Sequence, residues 1–141
     1  RLLVQYKEDD KLLSLSQMIE ENKELNKFDV QQDYINFIIH GVDIGHAAKP
    51  FQLELKWAEY VTQEFHNQGD TEKQLGLPIS FLCDRTTANL PASQVSFISG
   101  IVLPTFQLIY KLLPLTSVYV EMITKSKEEW EMLKEAKAKG I

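Results

Sequence analysis

Apolar residues recur at intervals of three and four along most of the chain, the repeat of an α-helix with one buried face. Alternating polar and apolar runs, which would mark half-buried strands, are missing. Leu12, Leu13, Met18 and Ile19 begin a first helix, closed by the polar stretch Glu20 to Lys27. Asp29 and Gln32 have the spacing of a capping box, opening a helix that carries Tyr34, Phe37, Ile38 and Val42 inward. Pro50 suits a helix start, because its fixed φ fits the first turn and its missing N–H would be unpaired there. From there Leu53, Trp57, Val61 and Phe65 mark one face of a long helix ending near Gly69, and Asp70 caps a short one that stops at Gly76.

Residues 77 to 92 hold two prolines and several turn formers around Phe81, Leu82 and Cys83, which predicts a loop whose apolar middle packs against the body. Pro91 starts a helix through Gln94, Phe97, Ile98, Ile101 and Val102, kinked or broken at Pro104. Thr116 to Thr124 is helical in pattern. Ser126 and Glu129 form a second capping box before a last helix, Lys127 to Lys139, anchored by Trp130 and Leu133. The sum is an all-α, compact multi-helix bundle of seven or so helices, in one domain.

Composition narrows the function. With 44% hydrophobic residues among 141, the chain can bury a core, which excludes a disordered tail. A net charge of −5 and the absence of a basic stripe argue against nucleic-acid binding. The apolar stretch Ile98 to Leu115 is interrupted by Gly100, Pro104, Gln107, Lys111 and Pro114, short of the about 18 apolar residues of a membrane span, so no transmembrane segment is expected. The N-terminal RLLVQYKEDD lacks the pattern of a secretion signal and does not begin with Met, so the chain reads as an excerpt of something longer. A lone cysteine, Cys83, fits a reduced, buried thiol in a cytoplasmic protein.

The densest candidate chemistry is His40-Gly41-Val42-Asp43-Ile44-Gly45-His46. On a continuing helix, residues three apart share a neighbourhood, so two imidazoles and a carboxylate can face one cleft; His and Asp near a helix end equally serve as caps or hydrogen-bonded core groups. By periodicity alone Trp57, Val61 and Phe65 are a core stripe, Gln94 is an exposed or capping polar residue, and His66 lies on the surface.

The string HGVDIGHAAKP, followed by Trp57, EFHNQGD, LGLPISFLCDR and SQVSFISGIVLPTF, resembles the catalytic domain of the class I 3′,5′-cyclic nucleotide phosphodiesterases from about Asp29 to Phe106. IGHAAK, QLGLPISFLCDR and the IV-x-PTF run at Ile101 to Phe106 look most like the calmodulin-dependent, dual-specificity class. The resemblance implies the C-terminal part of that domain, in a protein that hydrolyses cAMP, cGMP or both to 5′-monophosphates in cyclic nucleotide signalling. It makes Asp43 a metal ligand, with two divalent ions, zinc and magnesium or manganese, held mostly by residues outside this chain. It makes Gln94 the amide that reads the purine edge and Phe97 and Val61 the two walls of a clamp. Phe65 and Leu82 become further lining, Trp57 a residue near the metal-side mouth, and His46 a pocket residue, while His40 stays structural.

The family's HN-x-x-H and HD motifs do not occur in these 141 residues, so the chain holds no catalytic group of its own and is not expected to be active alone. Val4-Gln5-Tyr6-Lys7 stands where the family has Thr-Asp-Met-Ser, Ala47 replaces a proline, and Ser99-Gly100 replaces an acidic-aromatic pair. These departures keep a second reading open: a catalytically silent, phosphodiesterase-like scaffold or nucleotide-sensing module. Partners under the first reading are the cyclic nucleotide, the remainder of the catalytic domain, and a homodimer or larger assembly; missing flanks leave room for tethering.

Overall fold

The computed structural model describes residues 28–140, so the helix expected at Leu12 to Ile19 lies outside the described residues. Helix α1 (Phe28–Asp43) leads through a 3₁₀ turn (Gly45–Ala48) to the long α2 (Phe51–Gln74). A loop over 75–89 then reaches α3 (Leu90–Phe97), which passes through a π turn (Ile98–Val102) into α4 (Leu103–Leu112). A second 3₁₀ turn (Pro114–Thr116) precedes α5 (Ser117–Ala138). No strand occurs among the described residues, as the periodicity requires.

Helix α1 is already under way at Phe28, one residue before the expected cap, and Gln32 donates forward to the Asn36 side chain at 2.9 Å across the exposed face. Its inward face is Phe37 and Gly41, with Tyr34 packed beside them. An added Cβ at Gly41 would meet Cδ1 of Ile109, so the two helices approach closely there. Val42, expected inside, is 75% exposed, since it stands one residue round the helix from Gly41 and joins Ile35 and Ile39 on an outer apolar stripe.

Pro50 precedes α2 as its cap residue, and its carbonyl accepts the Leu53 and Glu54 amides. The helix runs unbroken through Gly69, so the expected stop there and the separate helix after Asp70 do not exist. Gly69 is a contact position: a Cβ there would sit 2.0 Å from the carbonyl oxygen of Cys83. The left-handed residue that ends the helix is Gly76, at φ +68°.

The core gathers Ala47, Ala58, Ile98, Val102, Phe106, Ile123 and Trp130, drawn from α2, the central helix, α5 and the first 3₁₀ turn. Helix α5 is continuous from Ser117 to Ala138, which removes the expected break and capping box at Ser126. Ser126 is buried mid-helix and donates its hydroxyl to Glu54, to which Trp130 Nε1 also donates at 2.8 Å. A buried carboxylate needs such partners, and these lie one helical turn apart on α5. Trp130 is the anchor expected; Leu133, on another face, is 40% exposed.

The central helix is also longer than its sequence suggests. Leu90–Leu112 forms one 23-residue run that holds a stretch of mean hydropathy 1.4, long and apolar enough by length and composition to cross a membrane, contrary to the sequence-based expectation. Gly100 and Pro104 bend its hydrogen bonding into a π turn instead of ending it. Its residues Ile98, Val102 and Phe106 pack into the core with Ile123 and Trp130 of α5.

Candidate functional site

Helix α3 begins with Asn89, whose side chain accepts the Ala92 amide at 3.4 Å, and Pro91 fills its first turn. This start sets Gln94 and Phe97 three residues apart, on adjoining positions of one face. Gln94 is only 8% exposed, so it is neither a cap nor a surface amide. His46, on the first 3₁₀ turn, lays its ring parallel to Phe97, with centroids 5.6 Å apart and planes within 5°. The three side chains that join two separate segments are thus an imidazole, an amide and a phenyl ring.

Their polar atoms are not internally satisfied. His46 Nε2 and Gln94 Oε1 are both buried without a hydrogen-bond partner. Burial pushes the His46 pKa below the ordinary histidine range; the neighbouring Gln94 amide opposes this, and the Lys49 charge adds to it. The ring is therefore neutral at neutral pH, with one nitrogen able to accept and the other to donate. Although the amide lies close enough to influence the ring, neither orphaned atom reaches hydrogen-bond geometry with the other.

Asp43 ends α1 with its side chain exposed. Burial lowers the pKa of His40 and the Asp43 charge opposes it, which places these two near one another. His46 does not complete a triad with them. The helix ends at Asp43 and a 3₁₀ turn follows, so the three-residue helical spacing lapses. Among the described residues no group of three or more His, Cys, Asp or Glu side chains can hold a metal ion. An exposed carboxylate such as that of Asp43 can offer an oxygen to a hard cation, but by itself it cannot hold one.

Val61 and Phe65 are half-buried on α2, whereas Leu53 and Trp57 are half-exposed, so the apolar stripe expected in the core is only partly covered. The buried line of α2 is Glu54, Ala58 and Gly69 instead. Leu82 lies on the 75–89 loop in the left-handed region at φ +66°. Two anchors hold that loop to the end of α2. Arg85 donates to Asp70 through Nη2 at 2.6 Å and Nε at 3.1 Å, and the Ser80 amide and hydroxyl both donate to Glu72 at 2.7 Å. Between them Cys83 is buried over Gly69, but Phe81 is 89% exposed, so the apolar middle packs inward only at Cys83. His66 is not a surface residue: it is half-buried, with Nε2 enclosed and unpaired.

Residues 6–123 match the family described as 3′5′-cyclic nucleotide phosphodiesterase. The chain belongs to that family. It is 43% identical over 102 residues, 72% of its length, to a Caenorhabditis elegans protein named "Probable 3′,5′-cyclic phosphodiesterase pde-1". It is 37% identical over 97 residues to a Drosophila melanogaster protein named dual specificity calcium/calmodulin-dependent 3′,5′-cyclic nucleotide phosphodiesterase 1. The chain spans 14% and 12% of those two proteins. A solved structure described as LmjPDEB1 in complex with IBMX shares the fold, with a TM-score of 0.83 and 24% identity over 92% of this chain and 39% of that one.

Sequence reasoning from spacing alone missed the His46–Phe97 stack and the burial of Gln94. Neither leaves a periodic signal, because each depends on a contact between segments about fifty residues apart. The Glu54–Ser126–Trp130 cluster was missed for the same reason.

Proposed function

We infer that this chain is the C-terminal part, residues 1–141, of the catalytic domain of a phosphodiesterase that hydrolyses cAMP, cGMP or both to the 5′-monophosphates. One observation carries the reading: a neutral imidazole nitrogen and an amide oxygen, both buried and both unpaired, flank a phenyl ring that can cover a flat base. Buried polar groups without partners are costly, by about 1–3 kcal/mol each, unless a ligand supplies the missing bonds. A purine edge supplies a donor and an acceptor in the plane of its ring, and the Gln94 amide offers the complementary pair. Phe97 forms one wall of the base site, with Val61 opposite and Phe65 and Leu82 as further lining.

Asp43 contributes one anionic oxygen ligand to two divalent metals, zinc with magnesium or manganese, and the other ligands come from the rest of the catalytic domain. When bound, such ions polarise the phosphate and activate water. This chain's own part is to hold the base, through Gln94 and His46, so that the phosphate lies toward the Asp43 end of α1. The same reading places the protein in the cytoplasm, in cyclic nucleotide signalling, with the remainder of its domain as an obligatory partner.

Turnover of cAMP and cGMP by the full-length protein tests the proposal. Asp43→Asn should abolish hydrolysis, and Gln94→Ala should raise KM roughly tenfold, the worth of one well-placed hydrogen bond. Full activity in the Asp43→Asn protein would reject the ligand assignment. Absence of hydrolysis in the unmutated protein would favour the silent scaffold.

A further inference from the structure

The helix that carries Gln94 and Phe97 has a register fault between them and the core. From Leu90 to Leu112 it is α-helical except at Ile98–Val102, where the Leu103 amide bonds the Ile98 carbonyl five residues back. Gln94, Ile98, Val102 and Phe106 are all buried, at a constant spacing of four. In an α-helix each step of four overshoots a full turn by about 40°, so three steps would turn Gln94 about 120° away from Phe106. A π turn takes about 4.4 residues, so the step from Ile98 to Val102 falls short of a turn by about 30°. The net rotation is then about 50°, and Gln94 stays on the side of the helix that faces the core and His46.

Pro104 supplies the cause. A proline inside a helix has no N–H for the carbonyl four residues back, and its ring collides with that carbonyl. The carbonyl belongs to Gly100, an exposed residue with no side chain of its own. Widening the preceding turn moves this carbonyl off the proline ring. Immediately beyond, the Thr105 hydroxyl donates to the Ile101 carbonyl at 2.7 Å. Pro104 is itself exposed, so packing does not explain its presence.

We propose that Pro104 is a positioning residue for base recognition: by enforcing the π turn at Ile98–Val102, it sets the rotation that aims Gln94 and Phe97 into the site. The proposal rests on the reading of Gln94 and Phe97 as the base site. It adds a residue that touches no ligand and acts through helix register.

The test uses the full-length protein, with Kd for IBMX as readout, since this xanthine presents a purine edge and is not turned over. KM and kcat for cAMP and cGMP accompany it. Pro104→Ala restores an amide to the Gly100 carbonyl and lets the turn tighten. Expected are an increase of about tenfold in Kd and KM, kcat within about twofold, and an unlowered Tm, because an exposed alanine favours the helix. Deleting Ser99 removes the extra residue outright and should weaken IBMX at least as much. Should that variant fail to fold, Pro104→Ala alone decides. Gln94→Ala is the reference. If it weakens IBMX and Pro104→Ala does not, the register proposal falls alone; if Gln94→Ala leaves Kd unchanged, the base site falls and the proposal with it.

Discussion

Gly69 shows how one absent side chain can organise a loop. The Cys83 carbonyl occupies the space its Cβ would need, 2.0 Å away, and that neighbour is backbone, which cannot rotate aside. Gly69→Ala should therefore lift the 75–89 loop and lower stability by about 1–3 kcal/mol, the usual cost of overpacking, readable as a reduced urea midpoint. Glu54 is the opposite case, a polar group in the core. Burial raises its pKa from the ordinary 4.5, against the Ser126 and Trp130 hydrogen bonds that favour the ionised form. Its linkage sign follows: the folded state holds this proton more tightly than the unfolded one. The contribution to stability is full below pH 4.5 and is lost as pH rises through the raised folded value. Glu54→Gln, which keeps an acceptor and carries no charge, should flatten that fall in a pH series of thermal melts. An unchanged pH profile would show that the carboxyl is not the group responsible.

The helices themselves were legible where one face does one job. Helix α1 was legible from the Asp29 and Gln32 spacing with Tyr34, Phe37 and Ile38 behind it, and α3 from Pro91 followed by Gln94, Phe97 and Ile98. The errors fall where a local signal had a tertiary use. Gly69 resembled a stop and is a contact; Ser126 and Glu129 resembled a cap, but Ser126 is a hydrogen-bond donor to Glu54 inside a continuous helix. At Pro104, expected to kink or break its helix, the chain stays helical after a π turn at Ile98–Val102. Because Ser126 and Trp130 bind one carboxylate from the same face of α5, that helix docks through them. Trp130 is fully buried and meets Phe51 edge-on, with centroids 5.2 Å apart. Trp130→Ala should cost about 3–5 kcal/mol and release α5 first, seen as early loss of amide protection in Ser117–Ala138.

Taken whole, the described residues leave apolar faces of two helices uncovered. Ile35, Ile39 and Val42 on α1, and Leu53, Trp57 and Tyr60 on α2, form apolar runs at helical spacing that are 50% exposed or more. The chain covers 39% of the similar solved structure, and under the proposed function the rest of the catalytic domain would cover such surface. The expected outcome is strong binding of an apolar dye such as ANS by the 141-residue chain and weak binding by the full-length protein. Equal binding by both would show that this surface stays open in the complete domain.

The amino-acid order alone determined that this chain is helical, where most helices lie, and, through the run of motifs from His40 to Phe106, its family. Those properties are local or carried by short strings, so they survive without knowledge of contacts. Which faces are buried, that His46 lies on Phe97, that Gln94 is enclosed with an unpaired oxygen, and that a π turn interrupts the central helix were decided only by the tertiary structure. The physical reason is that burial and pairing belong to side chains distant in sequence, and a repeat of three and four residues cannot say which of two apolar faces its neighbours will cover.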